Sequence, residues 1–419
     1  MTSAASSQTR SILFALALTH ALVVAQAVHA QSASTSNSDF SSSLDLISWF
    51  IFFGLIGSVI YYVVTYMRPE NVALRKFNES VKQKNFTEAL NHCEEGLIRD
   101  PNSVNLLVNA SAMCIPLKEF EKTLHYCDRG LALTPRNVNL LCNRSAANNN
   151  LSRFAEAEQD ATKAISIDSK LQPAYLNRAF AYLVQRKYKE AVADCNQAQS
   201  INMLDVDIIH AEALNSMNRF DEAMKICQSA MSRMESQSAD ADLSGLYVTR
   251  GNINHGMRKS KEAIADFDEA IRINPRCEPA YVNRSGSYLM LGDIKKAQDE
   301  LDNLNRMKIS ESLRAYPMYT QIRVYIKQNQ WDKAWKEASM ALEKYPNSPI
   351  VNAMVAFLNL HNQKLELALE HINKTIELDS YSREGHYIRH QIYDAMNEKD
   401  KAQADKKIAS DFGYVPYLI

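Results

Sequence analysis

One short pattern recurs about every 34 residues between residues 70 and 415. Each copy is centred on an alanine, replaced once by threonine, and the residue three positions before it is usually aromatic or apolar. This period is far longer than the 3.6 residues of a helical turn or the two of a strand, so it predicts a repeated supersecondary unit. Such units bury their apolar faces by stacking on their neighbours. The ten central positions are Ala89, Thr123, Ala157, Ala191, Ala223, Ala263, Ala297, Ala334, Ala368 and Ala402.

Each copy is predicted to hold two antiparallel helices. Proline stands twelve positions after the central residue in four copies, where it ends the second helix. A small residue stands twelve positions before the central residue in most copies and lets the two helices approach closely. These small residues are Ser111, Ser145, Ala179, Ala211, Gly251, Ser285 and Ala356.

This arrangement resembles the tetratricopeptide repeat (TPR) family, whose 34-residue unit is a helix–turn–helix. The segments Ala174–Tyr182 and Ala263–Pro275 are similar to the family consensus. The resemblance covers residues 70–415 and implies an all-α fold, a right-handed α-solenoid of about ten helix–turn–helix units. We expect this solenoid to follow an N-terminal transmembrane helix, which is predicted from a separate segment of the sequence. The spacing of the repeats is irregular at 234–242 and at 304–316. At 234–242 the sequence is compatible with either an extended helix or a loop.

The N-terminal 30 residues predict a signal peptide or another targeting segment. Arg10 precedes the apolar run Ile12–Ala25, and small or branched residues at Val28 and Ala30 fit a signal-peptidase site. Three alternatives stay open for residues 1–30: a cleaved signal peptide, an uncleaved first membrane span and an organelle transit peptide. The Ser-rich residues 31–45 predict a polar spacer.

Residues 46–67 carry no charge and predict a transmembrane helix. At 1.5 Å per residue such a helix reaches about 33 Å, enough to cross a hydrocarbon core of about 30 Å. Two acidic residues precede this segment and five basic residues follow it closely. By the positive-inside rule we expect a single-pass membrane protein with its repeats on the cytoplasmic side. The mitochondrial outer membrane, with the repeats facing the cytosol, is the alternative location.

Asparagines recur on the predicted first helices of the units. Equal positions of stacked repeats fall in a line, and the resemblance to TPR superhelices implies that the sixth position faces a concave groove. An amide offers both a donor and an acceptor to a peptide backbone. A common Asn-Arg pair without any ligand is the alternative interpretation. The predicted peptide- or partner-binding residues are Asn105, Asn109, Asn139, Asn143, Asn177, Asn252 and Asn283.

Opposite charges also recur at a fixed offset, an arginine on the first helix and a carboxylate sixteen residues later. Such pairs are expected to join neighbouring helices, each exposed pair contributing about 0.2–1 kcal/mol. His386 and His390 share one helix face, but no third metal ligand accompanies them in the sequence. The paired residues are Arg144, Arg178, Arg250, Arg284 and Arg389 with Asp160, Asp194, Asp266, Glu300 and Asp405.

The repeats and the leader account for most of the chain, and no catalytic motif accompanies them. We therefore expect a non-enzyme without cofactor, metal or small-molecule substrate. The net charge of −1 argues against a nucleic-acid binder. The sequence predicts a membrane-anchored TPR scaffold or adaptor for partner proteins or extended peptides. A protein-targeting or import receptor and an assembly factor for membrane complexes are the alternatives. Self-association stays open, and residues 416–419 are assigned to a tail.

Overall fold

The computed structural model describes residues 69–198, 204–237, 242–307, 309–310 and 313–413. Within these ranges the chain forms twenty α-helices and no strand, which confirms the predicted all-α repeat fold. The segments predicted as targeting sequence, spacer, transmembrane helix and tail (1–30, 31–45, 46–67 and 416–419) lie outside the described residues. None of the helices described here has the length and apolar character needed to cross a bilayer.

The N-terminal unit, which extends to Pro135, contains two helix pairs. Ser103 caps the third helix, since its side chain accepts a hydrogen bond from the Leu106 amide. Asn85 caps the second helix in the same way through the Glu88 amide. The helices are α1 (Pro69–Lys82), α2 (Phe86–Arg99), α3 (Val104–Cys114) and α4 (Phe120–Leu133).

The larger unit begins at Arg136 and contains eight helix pairs. Helix α10 continues to Gln237, so the extended-helix interpretation of the irregular stretch at 234–242 holds as far as that residue. The helices are α5 (Val138–Asn150), α6 (Phe154–Ile167), α7 (Gln172–Val184), α8 (Tyr188–Ala198), α9 (Leu204–Ser216), α10 (Phe220–Gln237), α11 (Ser244–Gly256), α12 (Ser260–Ile273), α13 (Glu278–Met290), α14 (Ile294–Met307), α15 (Ala315–Lys327), α16 (Trp331–Lys344), α17 (Pro349–His361), α18 (Leu365–Leu378), α19 (Arg383–Ala395) and α20 (Lys399–Asp411).

The repeat positions form the core of each pair. All ten central positions are buried, and so are the seven small residues that stand twelve positions earlier. Gly251 shows how close the helices come, because a Cβ atom there would lie 2.5 Å from Cε1 of Phe267. The seven cysteines are buried and form no disulfide, and burial raises the pKa of Cys195 to about 12. These thiols therefore serve as small core side chains.

In the larger unit, the first helices of consecutive repeats (α5, α7, α9, α11, α13, α15, α17 and α19) pack against one another along the whole series. The second helices lie further apart from one another. The first helices therefore form the inner layer of this unit and the second helices its outer layer. This order places the predicted groove residues of the larger unit on the inner layer.

A left-handed residue marks the turn inside each repeat. Nine of these residues carry a side chain, with φ between 57° and 65°, and Gly292 holds the position in the remaining repeat with φ of 78°. For a residue with a Cβ atom this conformation costs about 1–2 kcal/mol. The nine are Lys84, Lys118, Ser152, Arg186, Asn218, Arg258, Asn329, Gln363 and Asn397.

Replacing Lys118 with Gly is expected to stabilise the N-terminal unit by about 0.5–1 kcal/mol, because glycine adopts this conformation without strain. Lys118 is exposed, so the substitution removes no core packing. Urea denaturation measures the change. The control is Lys76→Gly inside α1, which should lower the free energy of unfolding by about 1 kcal/mol. Equal destabilisation by both substitutions would contradict the assignment of strain to the turn.

Candidate functional site

The predicted groove asparagines of α5 and α7 lie on the inner layer, and one of them connects the two helices. Asn139 is exposed at the start of α5, and Asn143 is partly exposed one turn later. The Nδ2 atom of Asn177 donates a hydrogen bond to the Cys142 carbonyl oxygen at 3.0 Å. Asn149 donates in return to the Asn177 carbonyl oxygen at 2.8 Å. The Asn177 amide therefore helps to join consecutive first helices.

Asn252 and Asn283 are brought together between α11 and α13. The Nδ2 atom of Asn283 donates to Oδ1 of Asn252 at 2.7 Å. Both side chains are partly buried. This hydrogen bond uses one N–H donor of Asn283 and the side-chain oxygen of Asn252. Fewer donor and acceptor groups of the pair are therefore available to a ligand.

The two remaining asparagines belong to the N-terminal unit. Asn105 donates through Nδ2 to Oε1 of Glu70 at 3.0 Å, and the Ser103 hydroxyl donates to the same oxygen at 2.7 Å. Asn109 lies partly exposed on α3. Asn105 thus links α3 to α1 within its unit.

Two exposed apolar side chains follow Asn177 on α7. Phe180 is 37 % exposed and Val184 is 43 % exposed. They follow Asn177 at intervals of three and then four residues, so the three side chains share one face of the helix. We call Asn139, Asn143, Phe180 and Val184 the α5–α7 strip. The sequence analysis considered polar residues and did not predict the two apolar members. Their spacing from Asn177 is the sequence feature that could have indicated them.

Side chains of the inner layer between α11 and α19 also contact one another. Nδ1 of His255 lies 2.8 Å from Oγ of Ser287. The Tyr319 hydroxyl donates to Oε2 of Glu384 at 2.9 Å, and the Arg323 guanidinium lies over the Tyr319 ring, 5.4 Å from its centroid. Arg323 is only 3 % exposed. These contacts engage polar side chains of the inner layer between α11 and α19.

The environment of His255 keeps its imidazole neutral at pH 7. Burial, together with the positive charges of Arg323 and Arg383, lowers the pKa of His255 to about 4. A neutral ring can accept or donate at Nδ1 in its contact with Ser287, depending on its tautomer.

The arginine–carboxylate pairs predicted from the fixed offset all form, each within one repeat. Arg178, for example, donates to both carboxylate oxygens of Asp194 at 2.7 and 2.9 Å. The expectation of exposed pairs was wrong, because the four aspartates of the set are at most 6 % exposed. A partly buried bidentate pair holds its helices more firmly than an exposed one, and loss of the arginine leaves a buried charge without its partner. The five pairs are Arg144–Asp160, Arg178–Asp194, Arg250–Asp266, Arg284–Glu300 and Arg389–Asp405.

The two histidines of α19 bind their own repeat. Nδ1 of His386 lies 2.8 Å from Oδ1 of Asp405, and Nδ1 of His390 lies 3.0 Å from the Ala402 carbonyl oxygen. Both partners are on α20. Across the described part of the chain, no group of three metal-ligand side chains comes together. The histidine spacing therefore serves helix packing here.

Comparisons with known proteins support the repeat assignment. The family described as Tetratricopeptide repeat matches residues 244–277. Human Tetratricopeptide repeat protein 6 is 26 % identical over 157 residues, which is 36 % of this chain and 29 % of that protein. The chain thus aligns with less than a third of that relative. The match to the tetratricopeptide repeat family itself covers one repeat, residues 244–277.

Two solved structures share the fold at low sequence identity. A Rap protein complexed with Competence and Sporulation Factor has a TM-score of 0.58 and 11 % identity, covering 74 % of this chain and 97 % of the other. The human IFIT1 dimer with PPP-AAAA has a TM-score of 0.53 and 13 % identity, covering 89 % of this chain and 88 % of the other. Identities this low establish similarity of fold alone.

Proposed function

We propose that this tetratricopeptide-repeat chain is a membrane-anchored, non-enzymatic scaffold that captures an extended segment of a partner protein on the α5–α7 strip. Residues 46–67 would supply the anchor, and the basic residues that follow them favour a cytoplasmic position for the repeats. Anchoring would raise the local concentration of the captured protein beside the membrane.

One observation carries the proposal: amide and apolar side chains that are exposed or partly exposed occur on two neighbouring first helices, in the α5–α7 strip. An extended segment needs partners for its backbone N–H and C=O groups and apolar contacts for some of its side chains. Asn139 and Asn143 supply amides, and Phe180 and Val184 supply apolar surface. In the Asn252–Asn283 pair the two amides bond each other, and both side chains are partly buried.

The two solved structures of similar fold each hold a bound molecule, Competence and Sporulation Factor in one and PPP-AAAA in the other. Helical arrays of this fold can therefore hold a ligand. The nature of the ligand proposed for this chain rests on its own side chains.

Replacing Phe180 with Asp is expected to weaken capture of extended peptides at least tenfold, because a charge replaces the largest apolar side chain of the strip. Peptides are selected from a random displayed library on the wild-type chain in detergent, and their dissociation constants are then measured for wild type and variant. A tenfold loss corresponds to about 1.4 kcal/mol.

The matched control is Met340→Asp. Met340 is 52 % exposed on α16, a second helix of the outer layer, so this substitution also replaces exposed apolar surface with a charge. It should leave peptide affinity unchanged. Equal affinities for wild type and Phe180→Asp, or an equal loss in both variants, would remove the α5–α7 strip as the binding surface.

A further inference from the structure

The loop between α18 and α19 contacts three turns that are distant in sequence. Nη1 of Arg186, in the turn after α7, donates to Oδ2 of Asp379 at 2.8 Å across 193 residues. Nδ2 of Asn218, in the turn after α9, donates to the Tyr381 carbonyl oxygen at 3.1 Å. Nη1 of Arg383 donates to the carbonyl oxygen of Gly256, the last residue of α11, at 2.8 Å. We call Asp379–Arg383, which consists of this loop and the first residue of α19, the closing loop.

Aromatic side chains reinforce these contacts. The Tyr381 ring meets the Tyr188 ring edge-on at 5.7 Å, and the Phe412 ring lies at the same distance on a tilted plane. The Arg383 guanidinium lies over the Phe220 ring, 5.2 Å from its centroid. The closing loop is therefore held by both polar and aromatic contacts. Within the larger unit, they connect the repeat of α19 to the repeats of α7, α9 and α11.

The Arg186–Asp379 ion pair is partly shielded from water. The two side chains are 31 % and 18 % exposed. Asp379 also accepts hydrogen bonds from its own loop, including one from the Tyr381 amide at 3.2 Å. Partial burial strengthens the attraction of the pair and makes a reversal of either charge unfavourable.

The closing contacts add to a helix array that is already continuous. Consecutive repeats in the larger unit pack through their first helices and through the second helix of one repeat against the first helix of the next. In a repeat array, these neighbour contacts supply the stability of each repeat. Separation of the closing loop from the three turns would therefore leave every helix pair with its neighbours.

We propose that the closing loop is a reversible latch that holds the larger unit in a closed state. In the closed state, the hydrogen bond from Arg383 to the Gly256 carbonyl oxygen joins the start of α19 to the end of α11. In the open state, the helix pairs stay folded while α19 moves away from α11. The Arg186–Asp379 pair sets the balance between the two states.

The test measures the distance across the latch by pulsed electron paramagnetic resonance. Nitroxides are placed on the full-length chain in detergent through Lys189→Cys and Glu377→Cys, two exposed positions on α8 and α18. The seven native cysteines are buried, which directs labelling to the two introduced thiols. The wild-type charges should give one narrow distance distribution. Arg186→Glu should broaden it towards longer distances, and Arg186→Glu with Asp379→Arg should shift it back.

Two further variants separate a latch from a local defect. Lys118→Glu makes the same kind of charge reversal at the equivalent left-handed turn position of the N-terminal unit, and it should leave the distribution narrow. Asn218→Ala removes a second closing contact without altering Asp379, and it should also lengthen the distance. Helical circular dichroism of each variant should match wild type. A narrow, unchanged distribution in both Arg186→Glu and Asn218→Ala would overturn the latch. Loss of helix in parallel with the distance change would do so as well.

Discussion

Replacing Ala191 with Arg is expected to unfold the repeat of α7 and α8 and to loosen its neighbours. Ala191 is fully buried on α8. An arginine there must overpack the helix interface or bury a charge without a partner, which costs several kcal/mol. The free energy of unfolding should fall by about 4 kcal/mol or more, a large share of the stability of a typical domain. Because each repeat depends on its neighbours, the damage should spread to adjacent repeats.

Helical circular dichroism and urea denaturation measure this loss, and hydrogen exchange locates it along the chain. The control is Ala155→Arg, the same substitution at an exposed position of α6. It should change stability by less than about 0.5 kcal/mol. Wild-type melting and exchange in the Ala191→Arg protein would refute the packing assigned to the repeat alanines.

Acidification is expected to destabilise the larger unit through His255. Its pKa is about 4 in the folded protein because burial, Arg323 and Arg383 disfavour the imidazolium, against about 6.5 in an unfolded chain. As pH falls, the unfolded chain therefore takes up the proton first. The contribution of His255 to stability is complete above about pH 6.5 and is lost progressively down to about pH 4. The difference between the two pKa values corresponds to about 3 kcal/mol.

His255→Gln isolates this contribution, because glutamine keeps a hydrogen-bonding group towards Ser287 but does not titrate. Urea denaturation at pH 7.0, 5.5 and 4.0 should show a fall in unfolding free energy that is about 3 kcal/mol smaller than in wild type. His125→Gln, at an exposed position of the N-terminal unit, should retain the wild-type pH profile. Parallel profiles for wild type and His255→Gln would show that the protonation of His255 is not coupled to folding.

The helix pairs could be predicted from the sequence because the residue spacings that define them lie within one repeat and recur in the next. The buried positions of Ala191 and Ala179 follow from a fixed register, and the Arg178–Asp194 pair follows from a fixed offset. Burial of the aspartates was missed, because the offset shows that two residues meet but does not show how much water surrounds them.

The candidate site was predicted only in part. Sequence position placed Asn177 on a first helix, but its hydrogen bond to the Cys142 carbonyl depends on the exact separation of two helices. For the same reason, replacing Asn177 with Ala would test helix packing as well as partner capture, which makes Phe180 the better position. No sequence pattern predicts the closing loop. Arg186 and Asp379 are 193 residues apart, and they meet only because each helix pair between them is rotated relative to the one before it.

Each arginine–carboxylate pair lies within a single repeat, and this affects how the number of repeats can change during evolution. Arg250 and Asp266, like Arg389 and Asp405, lie on the two helices of the same unit. Duplication or loss of a whole 34-residue unit therefore carries both charges together and leaves no buried aspartate without its arginine. A rearrangement that breaks between the two helices of a unit separates them. The electrostatics of the repeat thus favour gene rearrangements whose boundaries coincide with whole units.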